Sequence, residues 1–318
     1  MLSFIKLIRL PNLLIIALTQ YLMRFCIIKP MLQINDFELQ FGEFNFFLLV
    51  LSTTMVAAAG YIINDYFDTK IDRENDPSRV IVGKSIKRRV AIFAHIVLNV
   101  MGIAIGFYIA YQVDLIELAY IHIMWAGTLW FYSTSFKHKF LTGNILIALL
   151  VALVPLVAGL YEIPLLVKQY KEILITNNVN FNYIFVWIVG FSVFAFLTTL
   201  IREIIKDMED IEGDRAYGST TLPIIYGFQN AKIVVWILIL LTIFLLGYIQ
   251  VTHLNDVKTF IYFLLAIQLP LVLLIYKLAA AKEKKDFHFA SLLTKLIMIT
   301  GILYTVLVNY ILISEFLT

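Results

Sequence analysis

Apolar residues along this chain fall in long unbroken runs rather than at the spacing of an amphipathic helix or a half-buried strand. Nine such runs stand out, at roughly 10–28, 45–63, 89–111, 115–135, 142–161, 183–201, 232–252, 258–278 and 290–313. A helix needs about 20 apolar residues to cross a bilayer, and each run approaches that length. The pattern predicts an all-α membrane protein of nine transmembrane helices forming a single domain over residues 1–318. The second run is the weakest, because Ser52, Thr53 and Thr54 interrupt it. Pro155 and Pro270 fall inside runs, which membrane helices tolerate better than soluble ones.

Charge fixes an orientation. With the N-terminus in the cytoplasm, inside segments carry 19 of the 25 Lys and Arg residues and outside segments five, Arg24, Lys29, Lys168, Lys171 and Lys258. That asymmetry predicts a cytoplasmic N-terminus and an external C-terminus in the inner or plasma membrane. Lys6 and Arg9 before the first run resemble the start of a signal peptide. Arg24 and Lys29 follow without a small-residue cleavage site, so a retained first helix is expected.

Composition agrees. The chain is 61% apolar and 15% charged, against about 45–50% and 25% for soluble domains. A soluble enzyme is excluded, and nothing points to nucleic acid or to an obligate protein partner. Cys26 is the sole cysteine, which rules out an intrachain disulfide and a cysteine metal site. The five histidines form no HxH or HxxxH pair.

Two polar segments carry the chemistry. After the second run the chain reads Asn64-Asp65-Tyr66-Phe67-Asp68-Thr69-Lys70-Ile71-Asp72-Arg73. After the sixth it reads Lys206-Asp207-Met208-Glu209-Asp210-Ile211-Glu212-Gly213-Asp214-Arg215. Asp65, Asp68 and Asp72 are spaced three then four, and so are Asp207, Asp210 and Asp214. The two segments, 64–73 and 206–215, lie four runs apart on the same predicted membrane side, the pattern of an internal repeat. On a straight helix positions i, i+3 and i+7 share one face. Carboxylates there repel one another, and a hard divalent cation removes the conflict. One such motif reads equally well as a solvated helix end; two with identical spacing point to Mg²⁺ and a bridging diphosphate. The expected metal ligands are Asp65, Asp68, Asp207 and Asp210.

A diphosphate calls for cationic and polar partners. Candidates are Asn64, Arg73, Arg79 and Lys84 around the first motif, and Arg202 and Lys206 before the second. Tyr132 and Lys137, ending the fourth run, lie on the same side, as do Arg9 and Asn12. The stretch Gly218-Ser219-Thr220-Thr221-Leu222-Pro223 reads either as a substrate lid or as a plain connector.

These residues resemble the UbiA superfamily of intramembrane prenyltransferases over nearly the whole chain. The resemblance rests on an NDxxDxxxD motif at Asn64–Asp72 and a DxxDxxxD motif at Asp207–Asp214. It implies nine helices in a ring around a central cavity that opens to lipid. It also implies an isoprenyl diphosphate held through Mg²⁺ on both motifs, and transfer of its prenyl group to a lipophilic acceptor. The segment Arg202–Asp214 and its continuation Thr221-Leu222-Pro223-Ile224 are similar to those of the subfamily that adds geranylgeranyl to the free hydroxyl of geranylgeranylglyceryl phosphate. Quinone, aromatic and chlorophyll-type prenyltransferases share the donor site, and a transporter with an acidic gate is the non-enzyme alternative. One stretch departs from the family's N-x-P-x-R-P-I-P-x-G. Here Val80 and Val82 stand where two prolines are usual, which predicts a less rigid loop.

Overall fold

The apolar runs become helices in the computed structural model, which describes residues 2–78, 80–177 and 179–314. Among the described residues eight helices are long and apolar enough to cross a membrane: α1 Leu10–Gln33, α2 Glu43–Phe67, α4 Arg88–Gln112, α6 Thr142–Gln169, α7 Asn182–Glu209, α9 Leu222–His253, α10 Val257–Ala280 and α11 Lys284–Leu312. The fourth expected run is represented by α5, Ala119–Phe131, which continues through the π-helical turn Tyr132–Phe136. Short helices α3, Thr69–Asn75, and α8, Ile211–Ala216, follow α2 and α7. Among the described residues the sole β feature is an isolated bridge between Val82 and Ile86. Many large side chains are exposed on the spans, including Phe93, Leu240, Phe244, Val272 and Leu296. On a protein in water such a surface would be a liability; in a bilayer it is the lipid-facing surface of an integral membrane protein.

Two of the prolines sit where the helix is already loosened. Pro30 follows the π-helical turn Met23–Ile28 in α1, and Pro270 follows Phe263–Gln268 in α10. A proline lacks the N–H that would close the preceding turn. The wider turn accommodates the carbonyl this leaves without its donor.

The chain divides into two compact units, Met1–Phe136 with Leu153–Gly190 and Leu312–Thr318, and Lys137–Ala152 with Phe191–Ile311. In the first, α2 packs against α1, α4 and α5. Close approach depends on small residues: a Cβ on Gly102 would lie 2.8 Å from Val56 Cγ2, and one on Gly106 2.4 Å from His122 Cδ2. This GxxxG spacing brings helix backbones together in membranes. The polar residues that weaken the second run are used there. Ser52 donates to Gly102 O at 2.6 Å and meets His122 Nδ1 at 2.8 Å. Thr53 Oγ1 accepts from Gln20 at 3.1 Å.

Arg24 is not a loop charge, as the count of outside residues assumed. It is 2% exposed in α1 and pairs with buried Glu162 of α6 at 3.1 Å. Glu162 in turn accepts the backbone N–H groups of Gln40 and Phe41. The pair fixes the connection between α1 and α2 inside the first unit.

In the second unit, Lys232 of α9 also leaves the loop-charge role. It is buried and donates to Ala281 O at 2.6 Å, just past the end of α10. Phe194 of α7 lies so close to α11 that a Cβ on Gly301 would sit 2.0 Å from its ring.

Candidate active site

The first motif straddles the end of α2. Asn64 and Asp65 occupy its last turn, and Asp68 sits between α2 and α3 with φ −79° and ψ 0°. The helical hydrogen bonds nonetheless continue, from Asp68 N to Asn64 O at 2.9 Å and from Asp72 N to Asp68 O at 2.8 Å. The three aspartates are therefore not on one straight helix, as their spacing implied. They follow a helix bent at the middle one. Asp68 is 1% exposed. Asp65 Oδ1 accepts a 2.8 Å hydrogen bond from Arg9 Nη2. Arg9 itself has φ +51°, at the joint between the short helix Leu2–Leu7 and α1, and its guanidinium lies 5.0 Å over the Tyr61 ring.

The second motif repeats this construction. Asp210 has φ −101° and ψ 12°, between α7 and α8. Asp210 N bonds to Lys206 O at 2.9 Å, and Asp214 N to Asp210 O at 3.1 Å. Asp207 Oδ2 accepts from Asn144 Nδ2 at 2.9 Å. Asn144 lies in the first turn of α6, as Arg9 lies just before α1. In each motif the first aspartate is pinned by a donor from the start of the preceding helix in its own unit. The middle aspartate bends the helix.

The basic candidates divide. Lys137 lies close enough for its charge to act on Asp207, together with those of Asp214 and Glu203. Lys206 is engaged within its own motif, 3.5 Å from Glu209 and 3.4 Å from Asp210. Arg202 pairs with Glu203 at 3.0 Å. Tyr132 opens the π-helical turn at the end of α5. Arg73 and Lys84 are exposed, and among the described residues neither bonds to a motif carboxylate. Arg79 lies outside the described residues.

Several participants escaped the sequence reading. Glu209, almost fully buried, accepts from His288 Nδ1 at 2.9 Å. Thr220 N donates to His138 O at 2.7 Å, and Ser219 Oγ meets His138 Nδ1 at 3.1 Å. The Gly218–Pro223 stretch is thus tied to the connection before α6. Gly218 has φ +76°, a conformation glycine adopts without strain. Neighbouring numbers in the sequence carry no trace of these contacts.

The loop after the first motif is held without its usual prolines. Val80 and Val82 are buried, and Val82 packs with Leu7, Ile62, Ile86 and Ala91. Burial of two side chains takes over part of what a fixed φ would supply.

The donor set fits Mg²⁺, a hard ion that binds through one or two carboxylates, waters and substrate phosphates. Among the described residues no group of three or more His, Cys, Asp or Glu side chains forms a closed cage, and an ion of this kind does not require one. Asn64 Oδ1 adds a further observation: it is a buried acceptor with no hydrogen-bond partner. A buried oxygen left unsatisfied is costly, and a cation beside it removes that cost.

Comparison with known proteins accords with this geometry. The model of the UbiA prenyltransferase family matches residues 37–308. The digeranylgeranylglyceryl phosphate synthase of Methanosphaera stadtmanae is 35% identical over 192 residues, 60% of this chain and 61% of that protein. That of Methanothermobacter thermautotrophicus is 37% identical over 190 residues, 59% of each. The match therefore spans less than two thirds of either relative. The synthase of Thermococcus gammatolerans is 30% identical over 249 residues, 78% of this chain and 80% of that protein. Among solved structures, one of a digeranylgeranylglyceryl phosphate synthase in membranes superimposes with a TM-score of 0.63 at 24% identity, covering 96% of this chain and 97% of that one. A UbiA homologue from Archaeoglobus fulgidus bound to GPP and Mg²⁺ gives 0.60 at 17% identity, covering 98% and 99%. These likenesses establish the fold.

Proposed function

This chain belongs to the UbiA prenyltransferase family, and from that membership we propose that it transfers an isoprenyl group, geranylgeranyl, from its diphosphate to the free hydroxyl of geranylgeranylglyceryl phosphate. The observation that carries the reading is the duplicated motif. Two aspartate sets have the same spacing, the same bend at the middle residue and the same pinning of the first. The relatives named as digeranylgeranylglyceryl phosphate synthases support the choice of acceptor. The homologue bound to GPP and Mg²⁺ supports the donor and the metal. Family membership displaces the transporter reading.

In this account Asp65 and Asp68 of the first motif and Asp207 and Asp210 of the second would hold Mg²⁺, and Asn64 Oδ1 is a further candidate oxygen beside the first. Bound Mg²⁺ neutralises negative charge on the departing diphosphate. Arg9 and Asn144 keep the first aspartate of each motif in one orientation, so the ligands are set before substrate arrives. Lys137 adds positive charge beside Asp207, and Arg79, Arg73 and Lys84 supply the cationic surroundings of the first motif. The bond between the allylic carbon and the diphosphate oxygen breaks, and its electron pair leaves with diphosphate. The acceptor hydroxyl oxygen donates a pair to that carbon, forming an ether, and its proton passes to Asp72 or Asp214. Exclusion of water by the apolar spans protects the allylic cation. The whole chain acts as one domain, its motifs on the cytoplasmic side.

The test is incubation of purified protein with labelled geranylgeranyl diphosphate, Mg²⁺ and one acceptor at a time. Product with geranylgeranylglyceryl phosphate is expected. Product only with a quinone or aromatic acceptor would replace the acceptor while leaving the donor chemistry intact.

A further inference from the structure

The two motifs fix their middle aspartates by different means. Asp68 is buried, whereas Asp210 is partly exposed. The residue before each bend differs as well: Phe67 in the first motif is exposed, and Glu209 in the second is buried. A buried carboxylate is costly unless charged or hydrogen-bonding partners meet it. The partners of Glu209 therefore matter to the bend that follows it.

The fold of the second unit supplies them. His288 lies early in α11, on a turn braced from several directions. Asp286 accepts the backbone N–H groups of Lys282 and Glu283 at 2.9 and 3.0 Å, which closes the start of the helix. Phe287 is buried and stacks on Phe228, with ring centroids 5.3 Å apart. Lys232 donates to Ala281 O and so holds the chain that enters this turn. From that position His288 Nδ1 donates to Glu209 Oε1 at 2.9 Å. Lys206 Nζ stands 3.5 Å from Glu209 Oε2 and 3.4 Å from Asp210 Oδ2. One ammonium is thus shared between a buried carboxylate and the middle aspartate of the motif. A histidine from another helix sets how strongly the buried carboxylate draws on it.

We propose that His288 is a positioning residue for Mg²⁺ at the second motif, acting through Glu209 and Lys206 on Asp210. This rests on the metal-bound donor reading above. With His288 donating to one oxygen of Glu209, Lys206 stays within reach of Asp210 and holds it in one orientation at the bend. Without that donor the buried carboxylate pulls harder on the ammonium, and Asp210 loses the contact that orders it. Removing a group that orients a metal ligand typically costs about tenfold to a hundredfold in metal affinity.

The experiment uses full-length protein in detergent and a non-hydrolysable thiolodiphosphate analogue of the donor. Binding of the analogue is followed by calorimetry over a series of Mg²⁺ concentrations. The concentration for half-maximal binding should rise about tenfold to a hundredfold in His288→Ala. His288→Asn returns a donor N–H near the place of Nδ1 and should stay within about threefold of the unaltered protein. A histidine that merely anchored α11 would show the same loss in any background. In a Glu209→Gln background, where the carboxylate charge is gone, adding His288→Ala should cost less than about threefold more. Equal Mg²⁺ dependence in the unaltered protein and in His288→Ala overturns the proposal, as does a loss of undiminished size in the Glu209→Gln background. Failure of the unaltered protein to bind the analogue in an Mg²⁺-dependent way would defeat the donor reading, and this proposal with it.

Discussion

Asn144 donates a hydrogen bond of 2.9 Å from Nδ2 to Asp207 Oδ2, the first carboxylate of the second motif. Asn144 is 5% exposed, so removing it leaves the carboxylate without a fixed partner in a poorly solvated place. Asn144→Ala should lower kcat/KM by about tenfold to a hundredfold, the range for a hydrogen bond to a charged group. Asn144→Asp, which sets carboxylate against carboxylate, should be worse. The equivalent change at the first motif, Arg9→Gln, should cost less. There the Arg9 side chain is 44% exposed against 12% for Asp65, so water reaches one end of the pair and screens it. Steady-state kinetics of the three variants checks the order.

Removing the metal is expected to stop turnover while leaving the fold in place. Dialysis against a chelator should abolish prenyl transfer without changing the helical circular dichroism, and added Mg²⁺ should restore it. The stability of this chain rests on its spans, whereas small metal-folded domains collapse without their ion.

The pair formed by Arg24 and Glu162 gives a test of stability rather than chemistry. The two are 3.1 Å apart and nearly fully buried. Arg24→Met leaves the buried Glu162 carboxylate without its countercharge, a loss of about 3–5 kcal/mol; Glu162→Met should cost less, because Arg24 still pairs with Glu43 at 3.1 Å. Either single change should lower the thermal midpoint in detergent. The double change should cost less than the two singles together, because it removes both charges. Thermal unfolding of the four proteins completes the cycle.

Orientation is open to chemical labelling. In a Cys26→Ser background, single cysteines at the exposed positions Ser78 and Ala216 should resist an impermeant maleimide applied to right-side-out vesicles. A cysteine at Asn180 should react. Labelling of the first two from outside would reverse the predicted topology.

Much of this was legible beforehand. The apolar runs located the spans because a bilayer rewards length and hydropathy directly, with little dependence on tertiary detail. The motifs were legible because two aspartate sets with the same three-then-four spacing stand out between long apolar runs. Other features depend on contacts between helices. Arg24 and Lys232 read as topology charges, yet each is buried against a partner far away in sequence. The bend at Asp68 and Asp210 is also invisible in the spacing, since i, i+3 and i+7 describe a straight helix and a gently broken one alike. Asn144, Glu209 and His138 are single residues whose importance lies only in what they meet.

Both aspartate rows are proposed to bind one metal-bound diphosphate. The decisive measurement titrates a non-hydrolysable thiolodiphosphate analogue of the donor into the unaltered protein and into Asp68→Asn and Asp210→Asn variants, with and without Mg²⁺. Mg²⁺-dependent binding is expected in the unaltered protein, with its loss in each variant alone. Retention of full Mg²⁺-dependent affinity in either variant would contradict it.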